Sequence, residues 1–299
     1  MLATWRAVPE RGSRAAIDLI TSLTLAFGRN ATHWLLYPIC LYFYAFVPRA
    51  RRASSDYLAR VLGREPGTKD VLRHFHTFAA TLHDRIFFVQ RRFDDFDVVV
   101  HGGSEVDRLL GRGRGCLVLG SHLGSFEVLR MFGRFSREYC INVLMHEADD
   151  SNTQRALARL APEFSDRIIH PGEPDAMLRV KECLDRGEIV GMLGDRPFGE
   201  GKTLACRFLG STAQFPLGPW LLAATLGVPI ILFFGLYHGS ARYDIIFEAM
   251  SDGELVSRPE RAAVAARWLE RYVQRLEHYT REAPDNWFNF YDFWSQGTH

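Results

Sequence analysis

The chain has 299 residues, 47 % of them apolar and 24 % charged, with a formal net charge of +1, which is enough apolar material for one large α/β domain or two small ones and rules out disorder. The even balance hides a split: residues 1–92 carry 14 Lys and Arg against 6 Asp and Glu, whereas residues 93–299 carry 22 against 29. Aromatic residues make up 13 %, with 22 Phe, pointing to wide apolar surfaces or a pocket for a greasy ligand, while 5 scattered cysteines without a C-x-x-C favour free thiols over a disulfide framework or a zinc site.

The start, MLATWRAVPERGSRA, lacks the compact apolar core and small-residue site of a cleaved signal peptide, so the catalytic region is expected to face the cytoplasm. Residues 17–47 are strongly apolar but are interrupted by Asp18, Arg29, Asn30, His33 and Pro38. The uninterrupted piece 34–47 would be about 21 Å long as a helix, short of the roughly 30 Å of a hydrocarbon core. The basic run Pro48-Arg49-Ala50-Arg51-Arg52 follows at once, with Arg60 and Arg64 beyond it. Together these read as an interfacial helical anchor on an anionic membrane surface. Two other readings stay open: Leu35, Leu36, Ile39 and Phe43 could merely cap the core above solvated arginines, or a single-pass helix could start near Leu19. The expected organisation is a basic, helical, membrane-associating region over 1–92 and an α/β domain over 93–299, packed as one structural unit.

Residues 68–92 predict one amphipathic helix, with Val71, Phe75, Phe78, Leu82, Ile86 and Phe87 at helical spacing. His74 and His76 on it lie two apart, off a common face, and make no metal site. The period then changes. Short apolar runs suited to buried parallel strands occur at 96–100, 116–119, 141–145, 167–170, 188–193 and 229–236, and helical patterns separate them at 104–110, 152–160, 175–186 and 216–225. The predicted fold is therefore α/β around a mostly parallel sheet flanked by helices. The uncharged stretch 215–237 is divided by the turn signal Leu226-Gly227-Val228-Pro229 and reads as a buried helix followed by a buried strand. Ser257-Arg258-Pro259-Glu260 opens a last long helix to about Glu282. The glycine-rich GRGRG at 111–115 precedes a strand and is no dinucleotide fingerprint, and scattered arginines without interleaved aromatics make no case for nucleic acid.

Chemistry concentrates in Gly120-Ser121-His122-Leu123-Gly124-Ser125-Phe126-Glu127, directly after the strand CLVL and at a helix start. Ligands in open parallel sheets bind beyond the carboxyl ends of the strands, where His122 is expected. If the helix begins at Gly124 or Ser125, Glu127 can fold back and hold one ring nitrogen, leaving the other as a base, and free amides at the helix start can stabilise an oxyanion. The plainer alternative is a histidine that satisfies a strand end and a glutamate that complements the helix dipole.

The segment GSHLGSFEVLR resembles the H-x4-D/E block of the lysophospholipid acyltransferase superfamily, and specifically the bacterial lipid A biosynthesis acyltransferases. Gly191-Met192-Leu193-Gly194-Asp195-Arg196-Pro197 resembles that family's strand ending in Asp-Arg, and Phe208-Leu209-Gly210 and Phe215-Pro216-Leu217-Gly218-Pro219 resemble its later blocks, so the likeness spans nearly the whole chain. The resemblance implies transfer of a fatty acyl group from an acyl thioester, on acyl carrier protein or CoA, to a hydroxyl of a membrane lipid or glycolipid such as a lipid A precursor, at the cytoplasmic face of the inner membrane. It implies His122 as general base and Glu127 as its orienting carboxylate. Arg196 would offer charge to a phosphate, to the donor or to the oxyanion, and Asp195 would fix the loop. Gly124 and Gly194 would allow close backbone approach, and Ser121, Ser125, Gly210, Pro216 and Gly218 would complete the substrate-binding set. Neither a metal nor a further cofactor is implied, and no cysteine or serine has a nucleophile's context. An acidic acyl carrier protein would dock on the basic front.

Two departures bear on the acceptor. Ser125 stands where the family often has Asn, beside Leu123 and Phe126 in place of other common choices. The aromatic tail Asp285-Asn286-Trp287-Phe288-Asn289-Phe290-Tyr291-Asp292-Phe293-Trp294 looks more like that of acyltransferases found with aryl-polyene-type pigment biosynthesis, unless it is simply an aromatic plug over the core. An aryl-polyene-type or amino lipid acceptor, or a lipid-binding member without the reaction, are the competing readings.

Overall fold

The structure is a computed structural model that describes residues 14–111, 113–129, 131, 139–145, 159–160, 167–197 and 201–294. The first 13 residues, most of the helix expected over 152–160 and Arg112 of the GRGRG turn lie outside the described residues.

Four helices lead the described chain: α1 (Arg14–His33), α2 (Leu36–Phe46), α3 (Pro48–Leu62) and α4 (Thr68–Val89). The stretch from Leu19 to Val47 does not make one long helix. Gly28 (φ 78°) kinks α1, and a turn closed by Leu35 N–H on the Thr32 carbonyl separates α1 from α2. Among the described residues no helix is long and apolar enough to cross a membrane. On α2, Leu36 and Cys40 point inward, whereas Tyr37, Pro38, Leu41, Tyr42 and Ala45 line the exposed face at helical spacing. Pro48 starts α3 and Gly63, in the left-handed region at φ 65°, ends it. In α4 the Asp70 carboxylate caps the Gly67 amide at 2.9 Å and also pairs with Arg64, and these contacts hold its pKa near 2. The front helices share one core with the rest of the molecule, since Cys40, Tyr57, Leu58, Val61, Val71 and Phe75 pack in the same cluster as Leu117, Leu119, Trp220 and Trp287.

The body is a seven-stranded sheet. In chain order its strands are β1 (Asp97–His101), β2 (Cys116–Gly120), β3 (Ile141–Leu144), β4 (Ile168–Ile169), β5 (Ile189–Leu193), β8 (Pro229–Tyr237) and β9 (Arg242–Asp252). Across the sheet the order is β1-β9-β8-β2-β5-β3-β4. Five strands, β8 to β4, run parallel; β9 is antiparallel to β8 and carries β1 parallel beside it. The central strands are buried along their whole length, as their unbroken apolar runs require when helices cover both faces. Helices α5 (Gly103–Leu110), α6 (Ala176–Asp185), α7 (Gly218–Leu226) and α8 (Arg261–Glu282) complete the layers, and Gly227 (φ 59°) ends α7 in front of β8, dividing the stretch 215–237 as expected. The expected α/β fold with a mostly parallel sheet is the one observed.

Two elements were not expected from the sequence. One is β9, paired to β8 along the full length of the sheet's long hairpin. The other is a separate hairpin of β6 (Thr203–Phe208) and β7 (Ser211–Pro216). Its two turn residues, Leu209 (φ 49°) and Gly210 (φ 83°), both lie at positive φ, the geometry of a tight hairpin turn. After α8, a short 3-10 turn (Pro284–Asn286) leads the aromatic tail back across the carboxyl ends of β2, β5 and β8.

Candidate active site

Strands β2 and β5 are neighbours in register, with Gly120 opposite Leu193. The two chains that leave them therefore stay adjacent: the Gly194 N–H donates to the Gly120 carbonyl at 2.9 Å, and two residues past each strand His122 meets Asp195. The His122 Nδ1 to Asp195 Oδ1 distance is 2.8 Å, and the His122 amide donates to Asp195 Oδ2 at 3.1 Å. Trp287 of the tail adds a third contact, its indole N–H donating to the same Oδ2 at 3.1 Å. Asp195 is wholly buried and accepts from three donors.

Those contacts set the charge state. Burial pushes the Asp195 pKa up, but the imidazole, the hydrogen bonds from it, the Arg196 charge and the His122 amide together hold it near 2. For His122, burial and then Arg196 lower the pKa below the ordinary 6.5; Asp195 opposes this and Arg85 adds to it. At neutral pH the pair is thus a carboxylate facing a neutral imidazole that donates from Nδ1, which puts the lone pair on Nε2. The His122 side chain keeps 29 % exposure, so the site is open on one side. This arrangement can take a proton from a hydroxyl.

Glu127 does not make the expected bond to the imidazole. Its Oε1 accepts from Arg85 Nη2 on α4, and its Oε2 lies 3.5 Å from Ser125 Oγ. The cause is the local backbone. The chain at Leu123 and Gly124 bridges Trp287 on one side and Gly235 on the other, and helical structure is reached only at Leu129. Glu127 accordingly sits in a turn ahead of the helix and faces α4. Of the amides expected to be free for an oxyanion, Gly124 N–H donates to the Asn286 carbonyl and Ser125 N–H to the Gly235 carbonyl, and just before them His122 N–H donates to Asp195 and Leu123 N–H to Ser121 Oγ. Gly124 has φ +69°, and a Cβ there would lie 1.9 Å from the Gly235 oxygen, so the close backbone approach expected of it is made to β8.

Ser121, Gly124, Ser125, Gly194, Asp195 and Arg196 all gather around His122. Arg196 is 9 % exposed; its Nη2 donates to the Phe288 carbonyl and its guanidinium lies over the Tyr291 ring, 5.3 Å from the centroid. Gly210, Pro216 and Gly218 are placed elsewhere. Gly210 is the hairpin turn, Pro216 pairs with Thr203 at the hairpin's base, and Gly218 begins α7.

The tail contributes more to the site than an aromatic plug. Trp287 is fully buried, with its ring edge-on to Tyr57, Phe208 and Phe293 at 4.9–5.2 Å. Phe288 N–H donates to the His122 carbonyl at 2.9 Å, and Asn286 pairs both ways with the backbone of Tyr237 at the end of β8. His74 belongs to the same support: buried on α4, it lies between Ser54 Oγ at 2.8 Å and the Trp287 carbonyl at 3.0 Å, and burial takes its pKa to about 4. Trp287 and Arg85 are the site residues that reading the sequence missed. The Asn-Trp dipeptide and the Asp84-Arg85 pair on an apolar helix were the available signals.

Comparison with known families matches residues 77–296 to the family described as bacterial lipid A biosynthesis acyltransferase. No curated protein matches the chain. The matched span holds every element of the site, from Arg85 on α4 through His122 and Asp195 to Trp287. The chain therefore belongs to the bacterial lipid A biosynthesis acyltransferase family, and it is a lipid acyltransferase.

Proposed function

We propose that the protein transfers a fatty acyl chain from an acyl thioester, acyl carrier protein in preference to CoA, to a hydroxyl of a lipid A precursor or related membrane glycolipid, with His122 as general base. The observation that carries the reading is the His122–Asp195 pair, with no partner on Nε2 among the described residues, at the open end of the parallel strands. In the reaction Nε2 takes the acceptor's hydroxyl proton as the oxygen attacks the thioester carbonyl. The resulting oxyanion collapses, the C–S bond breaks, and the imidazolium returns the proton to the departing thiolate. Asp195 holds the tautomer and balances the imidazolium, and the buried Arg196 keeps Asp195 ionised while it pins the tail at Phe288. No acyl-enzyme is required.

The front of the chain supports action at a membrane surface. Leu19, Phe27, Trp34, Tyr37, Leu41, Tyr42 and Phe46 of α1, α2 and the turn between them are all about half exposed or more, and Arg49 and Arg52 stand exposed beside them on α3. That pattern suits helices lying at the headgroup level with their apolar faces in the acyl boundary, on the cytoplasmic face of the inner membrane, so that 1–92 would be the membrane-associating region and 93–299 the catalytic one. The same basic front is the proposed dock for an acidic acyl carrier protein. The aromatic tail favours one second reading, an aryl-polyene-type lipid as acceptor.

Mass spectrometry of membrane lipids from cells that contain the wild-type chain, His122→Ala or neither tests the function. An acylated lipid A species present only with the wild type is the expected result. A wild-type-dependent product on a different lipid would move the acceptor, and an unchanged lipid profile with full activity in His122→Ala would overturn the mechanism.

A further inference from the structure

We infer that Arg29, on the first of the front helices, is a positioning residue for the His122–Asp195 pair: bound to Asp84 inside the protein, it fixes the carboxyl end of β8 and, through it, the tail that brings Trp287 to Asp195. The inference rests on the acyl-transfer reading above.

The charge pair lies where α1 bends. Gly28 kinks the helix, and the next residue, Arg29, is buried at 7 % exposure while Phe27 stays 68 % exposed. The guanidinium holds the fully buried Asp84 of α4 by two bonds, Nε to Oδ1 at 2.7 Å and Nη2 to Oδ2 at 3.1 Å. Arginine and aspartate are almost never buried unless paired, and apolar residues of similar volume are often as stable as such a pair, so its use is better explained by the geometry it sets than by stability. A planar guanidinium joined twice to a planar carboxylate fixes direction as well as distance. The sheet is tied into the same cluster. Tyr243 of β9 donates its hydroxyl to Asp84 Oδ2 at 2.8 Å, and Arg29 Nη2 lies 3.5 Å from the hydroxyl of Tyr237, the last residue of β8. The two tyrosines are partners across the strands, with ring centroids 5.1 Å apart.

From Tyr237 the contacts run on to the site. Its backbone N–H and carbonyl are both bonded to the side chain of the buried Asn286, at 2.8 and 3.0 Å. The Asn286 carbonyl accepts from Gly124 N–H, on the loop that carries His122, at 2.8 Å, and the next residue, Trp287, donates to Asp195 at 3.1 Å. The end of β8 is thus set on one side by Arg29 and Asp84 and connects on the other to both members of the pair. Arg29 lies before the span 77–296 that matches the family, so a helix outside that span completes the support of the site.

The test is steady-state kinetics, thermal melts and flotation with anionic vesicles on Arg29→Met, Arg29→Lys and the double variant Arg29→Met/Asp84→Asn. His122→Ala is the control for the parent reading, and Leu25→Ala, on the same helix and packed against Ile86, Phe87 and Val89, is the control for stability. Arg29→Met leaves a buried carboxylate without its cation and should lower the melting temperature, whereas the double variant removes both charges and should restore most of it. In both, kcat should stay lowered by about 3–30-fold, with the KM for donor and acceptor changed less than about threefold and vesicle binding unchanged. Arg29→Lys, which keeps the charge and loses the two-point geometry, should recover part of kcat. Leu25→Ala should lower the melting temperature and leave kcat intact. Wild-type kcat in the double variant beside an inactive His122→Ala would overturn this inference alone, and full activity in His122→Ala would remove the parent reading. An equal loss of kcat in Leu25→Ala would make the effect one of stability, and loss of flotation with Arg29→Met would make it one of membrane attachment; either result refutes the positioning role.

Discussion

The sharpest test of the site is Asp195→Asn, because the three donors around this carboxylate dictate how an amide must sit. Oδ2 accepts from the His122 amide and from Trp287 Nε1–H, and Oδ1 faces His122 Nδ1. An asparagine that places its carbonyl oxygen at the Oδ2 position satisfies both N–H groups and turns its NH2 toward Nδ1. That choice moves the ring proton to Nε2 and removes the base. The opposite flip keeps the working tautomer but sets an NH2 against two buried donors, at about 1–3 kcal/mol for each unsatisfied group, or about 2–6 kcal/mol in all. The bias runs against the working tautomer, so kcat should fall by about 10²–10⁴-fold, in the range that a lost general base costs. The KM values should hold, since Asp195 is wholly buried and its oxygens are taken up by His122 and Trp287. The assay is acyl transfer from an acyl thioester to a lipid A precursor in mixed micelles, with a melt to show that the variant folds. Activity of Asp195→Asn within about threefold of wild type would refute the assignment of Asp195 as the histidine's partner.

Other perturbations follow from the same contacts. Trp287→Phe keeps the aromatic packing and deletes one donor to a buried carboxylate, a bond worth about 1.5–3 kcal/mol, so kcat should fall roughly tenfold beside a lowered melting temperature; an unchanged kcat would remove Trp287 from the site's support. In the wild type the acid limb of kcat/KM should lie below pH 6.5, because burial and the Arg196 charge depress the His122 pKa and the neutral ring is the active form, present above that pKa and lost as pH falls through it; a limb above 6.5 would contradict this. Asp195 has its pKa lowered from 3.8 to about 2, so the stability it contributes is complete above 3.8 and is lost as pH falls from there toward 2, which acid unfolding of wild type against Asp195→Asn would reveal. Gly124→Ala should abolish folding or activity through its 1.9 Å clash with the Gly235 oxygen, whereas Gly210→Ala, at φ +83° with open space around it, should cost only about 1–2 kcal/mol of strain and leave turnover intact. Replacing Trp34, Leu41 and Phe46 by Ser should release the protein from anionic vesicles in flotation assays, since each such side chain is worth about 1.5–3 kcal/mol when fully buried.

Much of the fold was legible because buried parallel strands and amphipathic helices leave strong local patterns. The helix over 68–92 is α4, the apolar runs are β2, β3, β4, β5 and β8, and the turn at Gly227 divides the long uncharged stretch. The omissions have physical causes. The hairpin of β6 and β7 turns at Leu209-Gly210, where a leucine at φ 49° replaces the Asn, Asp or Gly that normally announces such a turn; Glu277 accepts the Leu209 amide at 2.8 Å and helps to hold it. Strand β9 carries alternating inward residues and is joined to β8 by His238-Gly239-Ser240-Ala241, with Gly239, Ser240 and Ala241 all at positive φ; the Gly-Ser pair was the available turn signal. The tail's aromatic run suggested packing, and nothing local in it announces a hydrogen bond to Asp195.

The hydrogen-bond partner of His122 lies outside the motif that carries the histidine. A spacing such as H-x4-E weighs only contacts made within one segment, and the local argument required a helix to begin at Gly124 or Ser125. The partner came instead from the adjacent strand. Because β2 and β5 are parallel, with Gly120 opposite Leu193, residues equally far beyond that pair are brought side by side, and two steps on they are His122 and Asp195. The register itself depends on glycines: a Cβ on Gly120 would lie 2.7 Å from the Phe126 ring and one on Gly191 2.6 Å from it, so the ring can settle over both strands only where neither has a side chain. Phe126 seated there leaves Glu127 directed at α4 and Arg85. The same few residues that place the carboxylate of Asp195 on the histidine thus turn the motif's own glutamate away from it, and strand adjacency, not sequence spacing, selects the histidine's hydrogen-bond partner.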